Sequence, residues 1–239
     1  MSKTLAIFGA GPVLGRSLAR RFGREGFRIA LIARTRANLD ALVADLAQDG
    51  IEAAGFTADL TDQVRLAEVI EEITVHFGQI DVAEFSPGGG SLGEGIVSVL
   101  DVDPANLQLI LQRFLIPAIT LVRAVLPGMI ARQEGAILFT AGQSGVHPTA
   151  RMGNMGMAQA ALRNYFLNLN SELAGTGVYV GAVNIGALIE GSVPHQYVTS
   201  VAGPDFHGEV ISPDVYAEHF WDRYAKRDKP EVLVGDFTR

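Results

Sequence analysis

Gly9-Ala10-Gly11-Pro12-Val13-Leu14-Gly15 follows directly on the apolar run Leu5-Ala6-Ile7-Phe8 and precedes a helix pattern carried by Ser17, Leu18, Ala19 and Phe22. Glycine adopts backbone angles closed to other residues and lets the main chain approach a phosphate. The unpaired N–H groups and dipole of the helix behind it favour negative charge. The turn reads as a phosphate cradle, with a plain strand-to-helix turn as the alternative. A second run with chemistry in it is Ala33-Arg34-Thr35-Arg36. In a nucleotide-binding unit a carboxylate at this place takes a ribose 2′-hydroxyl and an arginine takes a 2′-phosphate. Two guanidiniums without an acid point to NADP(H) over NAD(H), against the plainer reading of two solvated arginines at a helix start.

These residues need elements to position them. Strand patterns at 4–8, 28–33, 51–57, 80–85, 135–140 and 177–185 alternate with helical spacing over 13–25, 36–49, 61–77, 104–131 and 152–174. A helix over 212–226 and a strand over 231–234 close the chain. Strand, helix, strand in repetition gives an α/β fold, a Rossmann-type doubly wound parallel sheet of about seven strands with helices on both faces. Asp103-Pro104 is a helix start, and Pro117 and Pro127 bend or end the helix behind it. No linker divides residues 1–239, so one domain is expected, with the Gly- and Pro-broken segment 187–212 as a lid or substrate loop.

Composition narrows the function classes. The chain has 239 residues, 48% hydrophobic and 19% charged, with a net charge of -7 and no cysteine. The acidic balance opposes nucleic acid, and Arg16, Arg20, Arg21 and Arg24 read as one solvated helix face. The lack of cysteine removes disulfides and thiolate chemistry and fits a reducing, cytoplasmic address. No stretch reads as long and uninterrupted enough to span a bilayer. The His, Asp and Glu residues show no metal-ligand spacing, and no Gly-x-Ser-x-Gly elbow is present.

The pattern from Gly9 to about Gly186 resembles the short-chain dehydrogenase/reductase family. Asp59-Leu60 is similar to the family's adenine-contacting aspartate after strand three, Phe85-Ser86-Pro87-Gly88 stands at its Asn-Asn-Ala-Gly after strand four, and Gly186 at its glycine after strand six. The resemblance therefore implies cofactor contacts at Gly9, Gly11, Pro12, Val13, Leu14, Gly15, Arg34, Thr35, Arg36, Asp59, Leu60, Ser86, Pro87, Gly88, Gln159 and Gly186. It also implies a substrate pocket at Gly142, Gln143, Ser144, His147 and Met155. The family works through a tyrosine, a lysine one turn later, a serine and an asparagine. Alignment on this chain places Met155, Gln159, Gly142 and Phe114 there. A thioether has no proton to give, and a neutral amide cannot depress a neighbouring pKa. His147 is the one candidate acid, set against an ordinary surface role.

Three readings compete. The first is an NADP(H)-binding protein without the family's ketoreductase chemistry, a sensor, partner subunit or scaffold, which explains a kept cradle and a lost tetrad together. The alternative is an NADPH-dependent oxidoreductase acting on a small carbonyl or hydroxyl substrate through a non-standard proton donor, since hydride chemistry belongs to the cofactor. The third uses the fold without a nucleotide. The resemblance further implies a homodimer or homotetramer paired through the apolar helices 104–131 and 152–174.

Overall fold

The computed structural model describes residues 2–88, 95–202 and 208–237. Along the chain β1 (Thr4–Phe8), α1 (Leu14–Gly23), β2 (Arg28–Ala33), α2 (Arg36–Gln48), β3 (Ala53–Thr57), α3 (Gln63–Phe77) and β4 (Val82–Phe85) alternate. There follow α4 (Pro104–Phe114), α5 (Ile116–Ala131), β5 (Gly135–Gly142), α6 (Gly153–Glu172) and β6 (Val178–Ile185). The last elements are β7 (Leu188–Ile189), α7 (Val193–Ala202), β8 (Val210–Ile211), α8 (Pro213–Lys226) and β9 (Glu231–Val234).

Seven strands pair in parallel in the order β3-β2-β1-β4-β5-β6-β9. This is the doubly wound sheet expected from the sequence. Its inner strands are apolar without alternation because helices cover both faces. On one face α3, α5 and α6 bury Leu66, Val69, Ile73, Leu121, Val122 and Phe166. On the other, α1, α2 and α8 bury Leu18, Phe22, Leu39, Leu46, Tyr216 and Phe220. Chain direction across the sheet reverses between β1 and β4, so their carboxyl ends open a crevice.

Three expectations change in detail. The helix over 104–131 breaks at Leu115 into α4 and α5. Asp103 caps α4 by accepting from the Asn106 N–H at 2.8 Å, and Pro117 falls in the first turn of α5, where its missing N–H costs nothing. Pro127 stays inside α5, whose buried Val125 and Met129 hold that turn against the sheet core. By length and composition Pro104–Ala131 is apolar enough for a membrane span, contrary to the sequence reading, yet Ala118, Leu121 and Val122 lie in the sheet core. The arginine face of α1 is less free than expected: Arg16 and Arg20 pair with Asp45 of α2 and with Asp49 just after it, and Arg21 with Glu25 and Glu218. Helix α8 packs on α1 through Phe22, Trp221 and Tyr224, and the Tyr216 hydroxyl donates to the carbonyl of Ala187, where the segment 187–212 begins. That segment carries a helix, α7, between two strands, β7 and β8, which pair in parallel.

Candidate active site at the sheet reversal

The cradle begins where β1 ends. Gly9 has φ +107°, and a Cβ there would stand 1.9 Å from the Ser86 carbonyl oxygen, so only glycine brings the end of β1 this close to the end of β4. Gly11 has open space where its Cβ would be. Val13 occupies the N-cap of α1 and supplies no capping hydrogen bond, so no side chain competes for the helix's first N–H groups. Pro12, Leu14, Gly15, Ser86, Pro87 and Gly88 line the same cleft, which encloses about 470 Å³.

Outward from the cradle, at the ends of β2 and β3, Arg34 and Thr35 are exposed. Arg34 makes no ion pair among the described residues, whereas Arg36 donates to the Gly55 carbonyl at 2.7 Å and faces Asp40 at 3.8 Å. Of the two arginines, Arg34 is the one available to an anion. Asp59 accepts from the Thr61 N–H and hydroxyl at 2.9 and 2.7 Å, and these bonds, helped by Arg34 and Arg113, hold its carboxyl below the usual range. Leu60 packs on the sheet core. Gly186 is not on the cleft wall; a Cβ there would stand 2.3 Å from the Gly235 carbonyl oxygen, so its glycine serves close packing against the end of β9.

The floor of the cleft is apolar, built from Ile96, Phe114, Met152, Met155, Leu188 and Phe237. Among the described residues no ionisable side chain lines it. Gln159 does line it, but its carbonyl oxygen accepts from the Gly142 N–H at 2.8 Å, and among the described residues its amide nitrogen has only the Met155 sulfur at 3.7 Å. Ser144 is nine-tenths buried, and its hydroxyl has no hydrogen-bond partner among the described residues although it borders the cleft. Gln143 turns away from the cleft: it donates to Asp236 at 3.0 Å and accepts from the Phe237 N–H at 2.8 Å, which pins Phe237 into the wall. His147 is exposed and off the wall, because the turn after β5 carries it outward. His195 lies on α7, where its ring accepts from the Gly191 N–H at 2.9 Å.

Sequence reasoning missed what lies one hydrogen bond behind this wall. Ser86 and Thr140 line the cleft, and both contact Oε1 of Glu84, at 2.5 and 2.7 Å. Their hydroxyl oxygens are also 2.5 Å from each other. Glu84 is fully buried, and its Oε2 has no partner among the described residues. Burial pushes its carboxyl up to about 7, against the pull of the two hydroxyls. The available signal was an acidic residue inside Ile80-Asp81-Val82-Ala83-Glu84-Phe85, a strand with neighbours on both sides and helices on both faces.

Comparison with known proteins fits this geometry. A short-chain dehydrogenase from Pseudocercospora fijiensis is 27% identical over 192 residues, which cover 78% of this chain and 60% of that protein's length. Cyclohexanol dehydrogenase from a Rhodococcus species is 28% identical over 207 residues, 79% of this chain and 75% of that one. The solved structure of L-sorbose reductase from Gluconobacter frateurii, complexed with NADPH and L-sorbose, shares the fold with a TM-score of 0.83 at 24% identity, covering 98% of this chain and 95% of that one. The family model for short chain dehydrogenases matches residues 3–192, most of the sheet and the whole cradle, and the chain belongs to that family.

Proposed function

We propose that this chain is an NADP(H)-dependent oxidoreductase acting on a small, uncharged, largely apolar carbonyl or hydroxyl compound, with a proton source other than the family's tyrosine. The observation that carries the reading is the cleft itself: a phosphate cradle and an apolar floor share one wall that bears no ionisable side chain among the described residues. Alignment of the sequence sets Met155, Gln159, Gly142 and Phe114 against the family's tyrosine, lysine, serine and asparagine, which supports a different proton source. The oxidoreductase names of the relatives weigh towards chemistry and away from the sensor or scaffold reading that the substituted tetrad favours on sequence alone.

The residues present fit the cofactor. The turn from Gly9 to Gly15 and the uncapped start of α1 would hold the pyrophosphate, and Arg34 the 2′-phosphate. When bound, the cofactor supplies hydride. On the protein side, the unpartnered Ser144 hydroxyl and the Gln159 amide nitrogen are donors for a substrate oxygen. Phe114, Met155, Leu188 and Phe237 exclude water and select for apolar substituents. The exposed Leu109, Ile116 and Ile130 on α4 and α5 support pairing of two copies through these helices.

Calorimetric titration with NADPH and NADH tests the cofactor, and NADPH consumption over a panel of alicyclic and acyl ketones tests the substrate class. NADPH is expected to bind in preference to NADH, and Arg34→Ala to weaken it roughly 10- to 100-fold, the loss of one charged hydrogen-bonding group. Failure of both nucleotides to bind sinks the proposal. Tight binding without turnover of any ketone returns the choice to the binding-protein reading, which the substituted tetrad favours on sequence alone.

A further inference from the structure

We propose that Glu84, Ser86 and Thr140 form a buried proton store that opens into the cleft and supplies the proton its hydride chemistry requires. The inference rests on the oxidoreductase reading above and names the missing donor.

The geometry alone assigns a proton to Glu84. Three oxygens, Glu84 Oε1, Ser86 Oγ and Thr140 Oγ1, lie mutually within 2.5 to 2.7 Å. Three contacts of this length need three hydrogens, and two hydroxyls bring two. The third is the carboxyl proton of Glu84. A buried carboxylate with Oε2 unpartnered would be costly, whereas a neutral carboxyl tolerates it.

Register explains how the store reaches the cleft. Glu84 pairs with Ile7 of β1 and Leu138 of β5, both in the core against α1 and α8. Ser86 and Thr140 stand two residues further along their chains, on the same face, where the strands end in the wall. No charged group contributes to the protonation of Glu84 among the described residues; burial and the two hydroxyls account for it. A carboxyl in this place serves no ion pair, and an aliphatic residue would fill the space at lower cost.

The step balances as follows in the reducing direction. With the cofactor bound, the reduced nicotinamide would supply a hydride, two electrons with one hydrogen, to the carbonyl carbon, and the C–O π pair would move onto oxygen. That oxygen takes a proton from the hydroxyl of Ser86 or Thr140, directly or through one water. The hydroxyl recovers a proton from Glu84 Oε1, which ends ionised and accepts from both hydroxyls. Glu84 regains its proton from water through the same hydroxyls once the product has left. Glu84 acts through its neighbours, so it is a positioning residue and not a catalytic one.

The test uses the full chain without cofactor first. Infrared difference spectra across a pH titration are expected to show one buried protonated-carboxyl band that disappears with a midpoint near 7 and is missing in Glu84→Gln. Ser86→Ala keeps the carboxyl and removes a bond that lowers its pKa, so the midpoint should rise. This second variant keeps the test valid if Glu84→Gln does not fold. Calorimetry of NADP+ in two buffers of different ionisation enthalpy should then show proton release at pH 7, since added positive charge in the cleft would favour ionised Glu84, and none in Glu84→Gln. Cofactor binding with no such band, a midpoint unmoved in Ser86→Ala, or proton release that persists in Glu84→Gln overturns the store. A titrating band in a protein that binds neither nucleotide instead overturns the oxidoreductase reading, and removes the use proposed for the proton.

Discussion

Replacing Glu84 by Gln should flatten the dependence of folding stability on pH. The folded carboxyl keeps its proton up to about 7, whereas an exposed glutamate releases it near 4.5. Below the lower value neither folded nor unfolded chain is ionised at this position, and the fold is at its most stable with respect to it. As pH rises, the unfolded chain loses a proton that the folded chain still holds, so stability falls until the folded carboxyl also ionises, and is level above that. A displacement of that size corresponds to about 3 kcal/mol at pH 8, of which about 2.5 kcal/mol is lost between pH 5 and pH 8. Urea unfolding of both proteins at the two pH values reads it. The wild type should lose about 2.5 kcal/mol more than the variant, or roughly 5–10 °C in melting temperature for a chain of this length. Taking the difference removes the constant effect of an unpaired amide. Parallel pH curves for the two proteins would refute the reasoning, because they would mean that Glu84 is solvated in the folded state.

Two other outcomes follow from the site. Gly9→Ala forces a positive φ on alanine and drives its Cβ against the Ser86 carbonyl, so thermal unfolding should show a loss of about 4 kcal/mol. A loss below about 1 kcal/mol would mean that the two strand ends separate freely. Gln143→Ala removes the hydrogen bonds to Asp236 and the Phe237 N–H, each worth about 1 kcal/mol. Hydrogen exchange at Phe237 should speed up roughly 10- to 30-fold, while exchange in β5 stays unchanged.

The fold was legible because parallel strands covered on both faces read as short apolar runs, and each strand of the seven-stranded sheet falls on such a run, whereas β7 and β8, two residues each, lie in the segment read as a loop. The cradle was legible for a related reason: Gly9 and Gly11 sit at the first strand-to-helix junction, which is a matter of local order. The parts that were not legible depend on distance. Gln143 meets Phe237 across 94 residues, and no local spacing announces that bond. His147 was chosen for its chemical type, but whether it faces the cleft is decided by the turn after β5, and it does not. Glu84 was passed over because one acid within a strand pattern reads as its solvent side, until the sheet order shows that β4 has no solvent side.

The separation of charge from the cleft floor divides the site into two thermodynamic halves. Arg34 stands exposed just after β2, off the cleft wall, while Phe114, Met155 and Phe237 line an uncharged interior. Ionic strength acts on the first and leaves the second almost untouched, since screening operates between solvent-exposed charges. Burial of apolar surface acts on the second, and its mark is a negative heat-capacity change. A salt series and a temperature series of calorimetric titrations would therefore tell, for any unidentified ligand of this protein, at which end of the cleft it sits.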